Sequence, residues 1–366
     1  MAAVIIAGSN RTVVPSYRIA ALNWLAGRGL YDGTGVGGFV YLPQSAIFFV
    51  PFAVLPQVLG EVLWRLFNIG TYAMGIRSFA RLASKGSLTE LFPLVTLVTI
   101  PMAWDCARNG QATLAMTGFM LLSVVDVSRS LWCRATLWLA FAAAIKPLAV
   151  VLVLLVMAIY RPMTWRLLIG TLALSLSPFL LQYPTYVLEQ YLACLHNMAT
   201  AAHVGVAAHG WTTPFTALRV AGIDISEDIQ TVIRLVAAAG TLVLCAFARR
   251  RHNVARSAVF IFSLAALYLL LFSPRTENNT YAMLGPVIGV FLAWAFQAEK
   301  RSMEGILLTA TVLVLVGSRP ISLLLAPNAE QIWLSPLLAT CFTVYLLFKL
   351  FTEPAPDIST AGGTLK

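Results

Sequence analysis

The densest polar stretch in this apolar chain is SPRTENNT, residues 273–280, which directly follows an apolar run. Arg275 is a natural phosphate partner, and Glu277 can take a proton from a hydroxyl group as a general base. Asn278 and Asn279 can hydrogen-bond sugar hydroxyls. A turn between two helices needs none of this chemistry, so the stretch predicts a wall of a polar pocket. The simpler alternatives are that Arg275 pairs with Glu277 and that the two asparagines cap the next helix.

A second polar stretch, WDCARNGQ at residues 104–111, offers the same chemistry. Asp105 is another candidate general base, and Arg108 is another candidate phosphate partner. Asn109 and Gln111 would orient a sugar through their side-chain amides. The alternatives are that Asp105 pairs with Arg108 and that NGQ is an ordinary tight turn.

A single lysine, Lys146, interrupts the apolar segment AAAIKPLAVV. Ionisable groups at membrane depth are costly and usually face a pocket or a partner, so we expect Lys146 to bind phosphate. The alternative is that its ammonium group reaches to the membrane interface. Tyr41 and Trp211 are candidates for stacking against the face of a sugar.

Other polar features do not predict a site. His196, His203 and His209 are spaced seven and six residues apart, but no carboxylate or cysteine completes a zinc set. The glycine-rich GTGVGG, residues 33–38, lacks the strand–helix unit and the lysine of a nucleotide site. The five cysteines follow no spacing pattern and indicate packing residues. We therefore predict neither a metal site nor a cofactor; a divalent cation would lack a ligand cluster.

The composition is that of a membrane protein. Of the 366 residues, 59% are hydrophobic and 11% are charged, whereas a soluble domain carries about 25% charged residues. The apolar runs are long and do not alternate, which favours helices over strands. We predict an all-α polytopic integral membrane protein with about 10–12 transmembrane or re-entrant helices. The predicted helices are residues 42–57, 60–81, 88–103, 110–127, 133–145, 148–160, 165–182, 230–248, 256–273, 281–297, 304–317 and 332–350.

Two of these segments are predicted to be irregular. Pro147 cannot continue a helix cleanly, so two half-length helices should meet at Lys146 and Pro147. Residues 42–57 are short and broken by two prolines, so we expect that they do not cross fully. We predict one integral-membrane domain over residues 1–351 and a polar, disordered tail over residues 352–366.

The net charge of +10 reflects membrane topology and does not indicate nucleic-acid binding, because most basic residues lie at or between the ends of the predicted helices and not in one patch. Basic clusters predicted to face the cytoplasm lie at residues 77–85, 129–134, 160–166, 248–252 and 299–301. The segments between these clusters are then predicted to face outside, and they are residues 9–41, 104–111, 183–229, 273–280 and 318–331. Lys146 should also lie near that face. The polar stretches therefore converge on one side, which predicts an external active site.

At four places in order, the sequence resembles glycosyltransferase family 87, which comprises membrane glycosyltransferases of the GT-C superfamily. LYDGTGVGGFVYLPQSAIFFVPFAVLP, residues 30–56, looks like a family segment of the form G-x-x-L-Y, F-x-Y-x-P and a run ending in L-P. ARNGQATL, residues 107–114, is similar to the N-G-Q-x-N element. AAAIKPLAVVLVLL, residues 142–155, looks like the family's K-P helix break. SPRTENNTYA, residues 273–282, resembles a polar motif of one branch.

The resemblance implies a multi-helix fold with an extracytoplasmic active site. It also implies a polyprenyl-phosphate sugar donor, often of the phosphomannose type, and a lipid or glycan acceptor. Family members often carry an aspartate a few residues before a tyrosine in the first external loop. Here that place reads RTVVPSYR, residues 11–18, and holds no acid. Asp32 is the acid that this loop does contain.

We therefore predict an inverting hexosyltransferase, with mannose-like specificity, in the multi-pass plasma (inner) membrane of a bacterium. Its partners would be the donor, the acceptor and membrane lipids, and not nucleic acid. Asp32, or failing it Asp105 or Glu277, would be the base. Phosphate would be held by Lys146, Arg108 and Arg275, and the sugar would be oriented by Asn109, Gln111, Asn278 and Asn279.

Two rival hypotheses stay open at this stage. A transporter or lipid flippase would also keep polar groups and broken helices within a bundle. The absence of internal repeats and the one-sided polar motifs speak against it. A catalytically inactive scaffold of the same fold would account for the missing early aspartate.

Overall fold

The computed structural model describes residues 12–31, 38–84, 91–208, 211–274, 276–298, 300–326 and 332–352. Five predictions fall wholly or mainly outside these ranges: those on Asp32, the glycine-rich residues 33–38, Arg275, His209 and the tail after residue 352. The side chain of His203 lies outside them as well.

The described chain consists of helices and contains no strand, which confirms the all-α prediction. Four segments continue neighbouring α-helices in other geometries: 3₁₀ turns at Pro147–Ala149, Ser177–Leu180 and Asn278–Met283, and a π-helical turn at Trp294–Ala298. The α-helices in chain order are α1 Val14–Leu25, α2 Pro43–Ala53, α3 Gln57–Ala83, α4 Phe92–Asn109, α5 Thr113–Ser128, α6 Trp132–Ile145, α7 Val150–Ile159, α8 Arg161–Leu176, α9 Pro184–Ala208, α10 Pro214–Val220, α11 Glu227–Arg251, α12 Val254–Phe272, α13 Leu284–Ala293, α14 Ser302–Val316, α15 Ser318–Leu325 and α16 Leu334–Thr352.

Among the described residues, 5 helical segments are long and apolar enough to cross a membrane, or up to 7 if each of two bent helix pairs is one span. One bent pair joins α2 to α3 at an angle of 120°, and the other joins α14 to α15 at 76°. Shorter apolar helices cover α5, α6 and the segment from Pro147 to the end of α7. The predicted polytopic membrane architecture is therefore confirmed.

The centre of the bundle is formed by α5, α12 and α13. The membrane-length windows of α12 and of the segment Asn278–Gln297 are 78% and 89% buried, whereas those of α8 and α11 are 17% and 11% buried. Helix α5 crosses α3 closely because each helix has a glycine at the contact. A Cβ on Gly75 would lie 2.6 Å from the Gly118 carbonyl oxygen. Small residues permit such backbone approach between membrane helices.

The break at Lys146 was predicted correctly. Helix α6 ends at Ile145, Lys146 takes an extended conformation (φ −148°, ψ 119°), and the chain resumes as a 3₁₀ turn at Pro147. This is the conformation that a following proline favours. Helix α9 differs from the prediction, because a helix of 25 residues occupies part of the predicted loop 183–229.

Candidate active site

A cavity of about 440 Å³ lies among α7, α9, α11 and α12. Its polar lining includes Tyr41 from the segment before α2, Lys146 from the α6–α7 break, Arg234 from α11 and Glu277 from the loop after α12. The remaining wall is mainly apolar. It includes Leu148, Val150, Val151, Met198, Leu269 and Phe272.

Lys146 is 8% exposed, and its Nζ donates to Thr113 Oγ1 at 2.8 Å. The ammonium group lies 6.0 Å from the centre of the Tyr41 ring. Among the described residues, no carboxylate lies within ion-pair distance of it. A buried cation without a counter-charge is costly, so this lysine suits an anionic ligand. The geometry differs from the alternative in which the side chain reaches to the interface.

Glu277 is exposed to the cavity, and its Oε2 accepts a hydrogen bond from Gln111 Nε2 at 2.6 Å. This contact brings together two of the predicted stretches, SPRTENNT and NGQ, which are 166 residues apart in sequence. Glu277 precedes the 3₁₀ turn Asn278–Met283, and no side chain caps that turn. The alternative role of the asparagines as caps is therefore not what the structure shows.

The NGQ stretch is a tight turn that also directs Gln111. Helix α4 ends at Asn109, and Gly110 is left-handed (φ +68°). Backbone bonds from Gly110 N to the Ala107 carbonyl and from Gln111 N to the Cys106 carbonyl close the turn. From α3, Trp64 Nε1 donates to the Gly110 carbonyl at 2.7 Å. NGQ can therefore be a tight turn and also present Gln111 to the site.

Tyr41 lines the cavity and contacts a second tyrosine, Tyr17. Its hydroxyl lies 3.3 Å from that of Tyr17, and the two rings are tilted with centroids 5.7 Å apart. Burial, and secondly the nearby Tyr41, raises the pKa of Tyr17 well above its ordinary value. Tyr17 therefore stays a neutral hydroxyl at physiological pH and is not a base.

Several predicted site residues lie away from the large cavity. Asp105 forms an ion pair with Arg108 at 3.1 Å and lines a second cleft of about 30 Å³ together with Asn278 and Asn279. Arg108 and Asn109 do not line the large cavity. Trp211 is buried and does not line it either.

Asn278 instead links the loop to two later helices. Its Oδ1 accepts from Ser335 Oγ at 2.9 Å and lies 3.4 Å from Ser318 Oγ. The neighbouring segment is held similarly, since Thr212 N donates to the Thr276 carbonyl at 2.8 Å. These contacts indicate that the asparagine positions the loop that carries Glu277.

A family model described as glycosyltransferase family 87 matches residues 39–274, which is well over half of the chain. The chain belongs to glycosyltransferase family 87. As a family 87 protein it is a membrane glycosyltransferase. A comparison with curated proteins found no match. The matched region contains Tyr41, Gln111, Lys146 and Arg234, and Glu277 lies just beyond its end.

Arg234 lines this family 87 cavity but is not among the site residues predicted from the sequence. Its guanidinium donates to Gln230 Oε1 at 3.1 Å and lies 5.3 Å from the centre of the Phe215 ring. The sequence alone could have indicated Arg234, because an arginine within the predicted helix 230–248 is an ionisable group in an apolar span. Thr113, which accepts from Lys146, was also missed, and a threonine in an apolar helix carries no comparable signal.

The last feature of the site concerns metal ligands in the part of the chain that the structure describes. No group of three or more His, Cys, Asp or Glu side chains there could hold a metal ion. His196, the histidine of the predicted trio whose side chain is described, is exposed on α9.

Proposed function

We propose that this family 87 glycosyltransferase moves a hexose, mannose-like in type, from a polyprenyl-phosphate sugar to a lipid or glycan acceptor. The reaction would take place at the extracytoplasmic face of a bacterial plasma membrane. One observation carries the proposal: two cations, one carboxylate and a long apolar wall meet at a single cavity. A phosphate, a sugar and a lipid chain are the three parts of such a donor.

The charges at the cavity match the phosphate. A phosphodiester carries one negative charge, and Lys146 and Arg234 both line the cavity. When the sugar leaves, the phosphate monoester carries about −1.5 to −2 at pH 7. Cations placed in advance stabilise that increase in charge, and arginine can do so through two parallel hydrogen bonds. Arg275 stays a prediction for the same role.

Glu277 is the proposed base. The acceptor hydroxyl oxygen attacks the anomeric carbon from the face opposite the phosphate, the carbon–oxygen bond to phosphate breaks, and the configuration inverts. The hydroxyl proton passes to the Glu277 carboxylate, whose Oε2 is held by Gln111. Asp105 is a weaker candidate because it already pairs with Arg108. Asp32 stays a prediction.

The apolar wall supports a lipid-linked donor. Val150 and Met198 line the cavity and are 46% and 45% exposed at the surface. Helix α11, which carries Arg234, is largely unburied and apolar. In a membrane these surfaces face lipid chains, so a polyprenyl chain can extend from the cavity into the bilayer.

The test is sugar transfer by purified protein in liposomes. A panel of radiolabelled polyprenyl-phosphate sugars, with one sugar donor that carries no phosphate, is supplied together with membrane lipids as acceptors. We expect transfer by the wild type and a loss of about 10²- to 10⁴-fold in Glu277→Gln, the usual contribution of a general base. Asp105→Asn competes for the same role, and Asp224→Asn, on an exposed loop, controls for the loss of a carboxylate.

Each outcome assigns the function differently. Loss of transfer in Asp105→Asn with activity retained in Glu277→Gln would move the base to the second cleft. Transfer from a donor without phosphate would contradict the assignment of Lys146 and Arg234. Absence of transfer by folded wild type from every donor would favour the transporter or inactive-scaffold hypothesis.

A further inference from the structure

Lys146 and Glu277 line the same cavity but, as described, they form no ion pair with each other. Opposite charges that line one cavity attract each other. Something must therefore hold the two groups in separate positions. The side chains between them show what does so.

A chain of three hydrogen bonds connects the ammonium to the carboxylate. Lys146 Nζ donates to Thr113 Oγ1 at 2.8 Å. Thr113 Oγ1 donates to Gln111 Oε1 at 3.4 Å, the longest of the three. Gln111 Nε2 then donates to Glu277 Oε2 at 2.6 Å. All three bonds run in one direction, so each group uses its donor and its acceptor without conflict.

Thr113 is fixed more firmly than either charged group. Its side chain is fully buried, and it is the first residue of α5, the most enclosed of the shorter helices. Two residues further along α5, the backbone N–H of Ala115 donates to Asn68 Oδ1 of α3. Gln111 is likewise held by the turn at Gly110. The hydroxyl and the amide thus form a buried bridge between two less buried side chains.

We infer that Thr113 is a positioning residue for sugar transfer. Its hydroxyl holds the Lys146 ammonium at the cavity and, through the Gln111 amide, fixes the ammonium relative to the Glu277 carboxylate. This inference rests on the proposed function, since it assigns phosphate to Lys146 and the proton to Glu277.

The bridge keeps both charges available to ligands, which a direct ion pair would not do. A carboxylate paired directly with an ammonium group is a weaker base, and the ammonium is then less available to phosphate. A neutral hydroxyl and a neutral amide between them satisfy both charges by hydrogen bonding without cancelling either. The donor phosphate and the acceptor hydroxyl can then each find a group of the required charge.

The test compares Thr113→Val with Thr117→Val. Both threonines are fully buried in α5, but Thr117 Oγ1 donates to the Thr113 carbonyl and touches neither Lys146 nor Gln111. Two quantities are measured: the Kd of polyprenyl phosphate by titration of folded protein, and kcat with the donor that the wild type uses. We expect Thr113→Val to raise the Kd roughly ten- to hundredfold, the equivalent of a hydrogen bond to a charged group, and to lower kcat as well. Thr113→Ser, which keeps the hydroxyl, should recover both.

The Kd separates positioning from a purely structural role. A structural role would lower the amount of active protein equally in both valine variants and leave the Kd of the folded fraction unchanged. Equal Kd and kcat in Thr113→Val and Thr117→Val, with a wild type that transfers sugar, would overturn the inference alone. A wild type that neither transfers sugar nor binds polyprenyl phosphate would overturn the proposed function and the inference with it. If Thr113→Val does not fold, Thr113→Ala and Thr117→Ala replace the pair, because they add no atoms to the core.

Discussion

At the scale of single residues, the turn at Gly110 connects the fold to the site. Gly110 is left-handed, and a Cβ there would lie 2.4 Å from Val14 Cγ2 and 3.4 Å from Arg65 Cζ. The residue is therefore constrained both by its backbone angle and by its neighbours. Because the next residue is Gln111, any movement of this turn changes the contact to Glu277.

Gly110→Ala should destabilise the protein by about 2–4 kcal/mol, from left-handed strain together with overpacking. Its matched control is Gly27→Ala, since Gly27 is also left-handed (φ +64°) but has open space around its Cβ position. That variant should lose only about 1 kcal/mol, the strain alone. Thermal unfolding followed by tryptophan fluorescence measures both. Equal losses would show that the packing around Gly110 does not matter.

Arg234 belongs to none of the quoted motifs, although its place in an apolar predicted helix indicates a functional residue. Arg234→Gln should raise the Kd of polyprenyl phosphate by roughly tenfold or more, because a charged hydrogen-bond donor to phosphate is lost. Arg250→Gln, at the exposed end of the same helix, controls for the loss of a positive charge. A similar change in both variants would indicate long-range electrostatics in place of direct contact.

Residue types were more predictable than side-chain directions. The sequence marked Tyr41, Gln111, Lys146 and Glu277, and these line or join one cavity. It could not tell that Asp105 points to a different cleft, because that depends on the rotation of α4 against its neighbours.

At the scale of elements, the break between α6 and α7 places Lys146. Proline removes a backbone donor and excludes the helical conformation at the preceding residue. The extended backbone at Lys146 then directs its side chain to Thr113. The break was predictable because its cause is local.

Pro147→Ala should allow the two helices to join and withdraw Lys146 from the cavity. We expect thermal stability to be kept or raised, while the Kd of polyprenyl phosphate rises roughly tenfold. Pro51→Ala tests a proline inside α2 that does not line the cavity, and it should leave that Kd unchanged. A Pro147→Ala variant that binds as tightly as the wild type would show that packing alone positions Lys146.

Helix α9 shows why some elements were missed. Its sequence mixes tyrosine, glutamine and histidine with apolar residues, so it resembles a loop by hydropathy. Its polar groups bind other parts of the chain: Gln190 Oε1 accepts from Leu30 N, and Tyr191 donates to Gln44 Oε1. Tertiary partners that lie more than a hundred residues away in sequence cannot be read from a local window.

At the scale of the whole molecule, the charge pattern predicts sidedness, which labelling can test. Cys133 is exposed within a predicted cytoplasmic cluster, and Asp224 is exposed in a predicted external segment. In a Cys341→Ala background, a membrane-impermeant maleimide should label Cys133 in inside-out vesicles and not in right-side-out vesicles. Adding Asp224→Cys should give labelling in right-side-out vesicles. Labelling of both from one side would contradict the predicted topology.

The exposed rim of the cavity at Val150 and Met198 has a consequence for which substrates the enzyme distinguishes. Transferring a hydrocarbon chain out of a bilayer into water costs about 0.8 kcal/mol for each methylene group. A site that opens sideways into the membrane avoids that transfer, since most of the chain never leaves the lipid. Such an enzyme recognises the head of its donor and the first few carbons that follow. For the proposed polyprenyl-phosphate donor, we therefore expect long and short tails to be nearly equivalent, with selectivity between cell lipids set by the sugar and the phosphate.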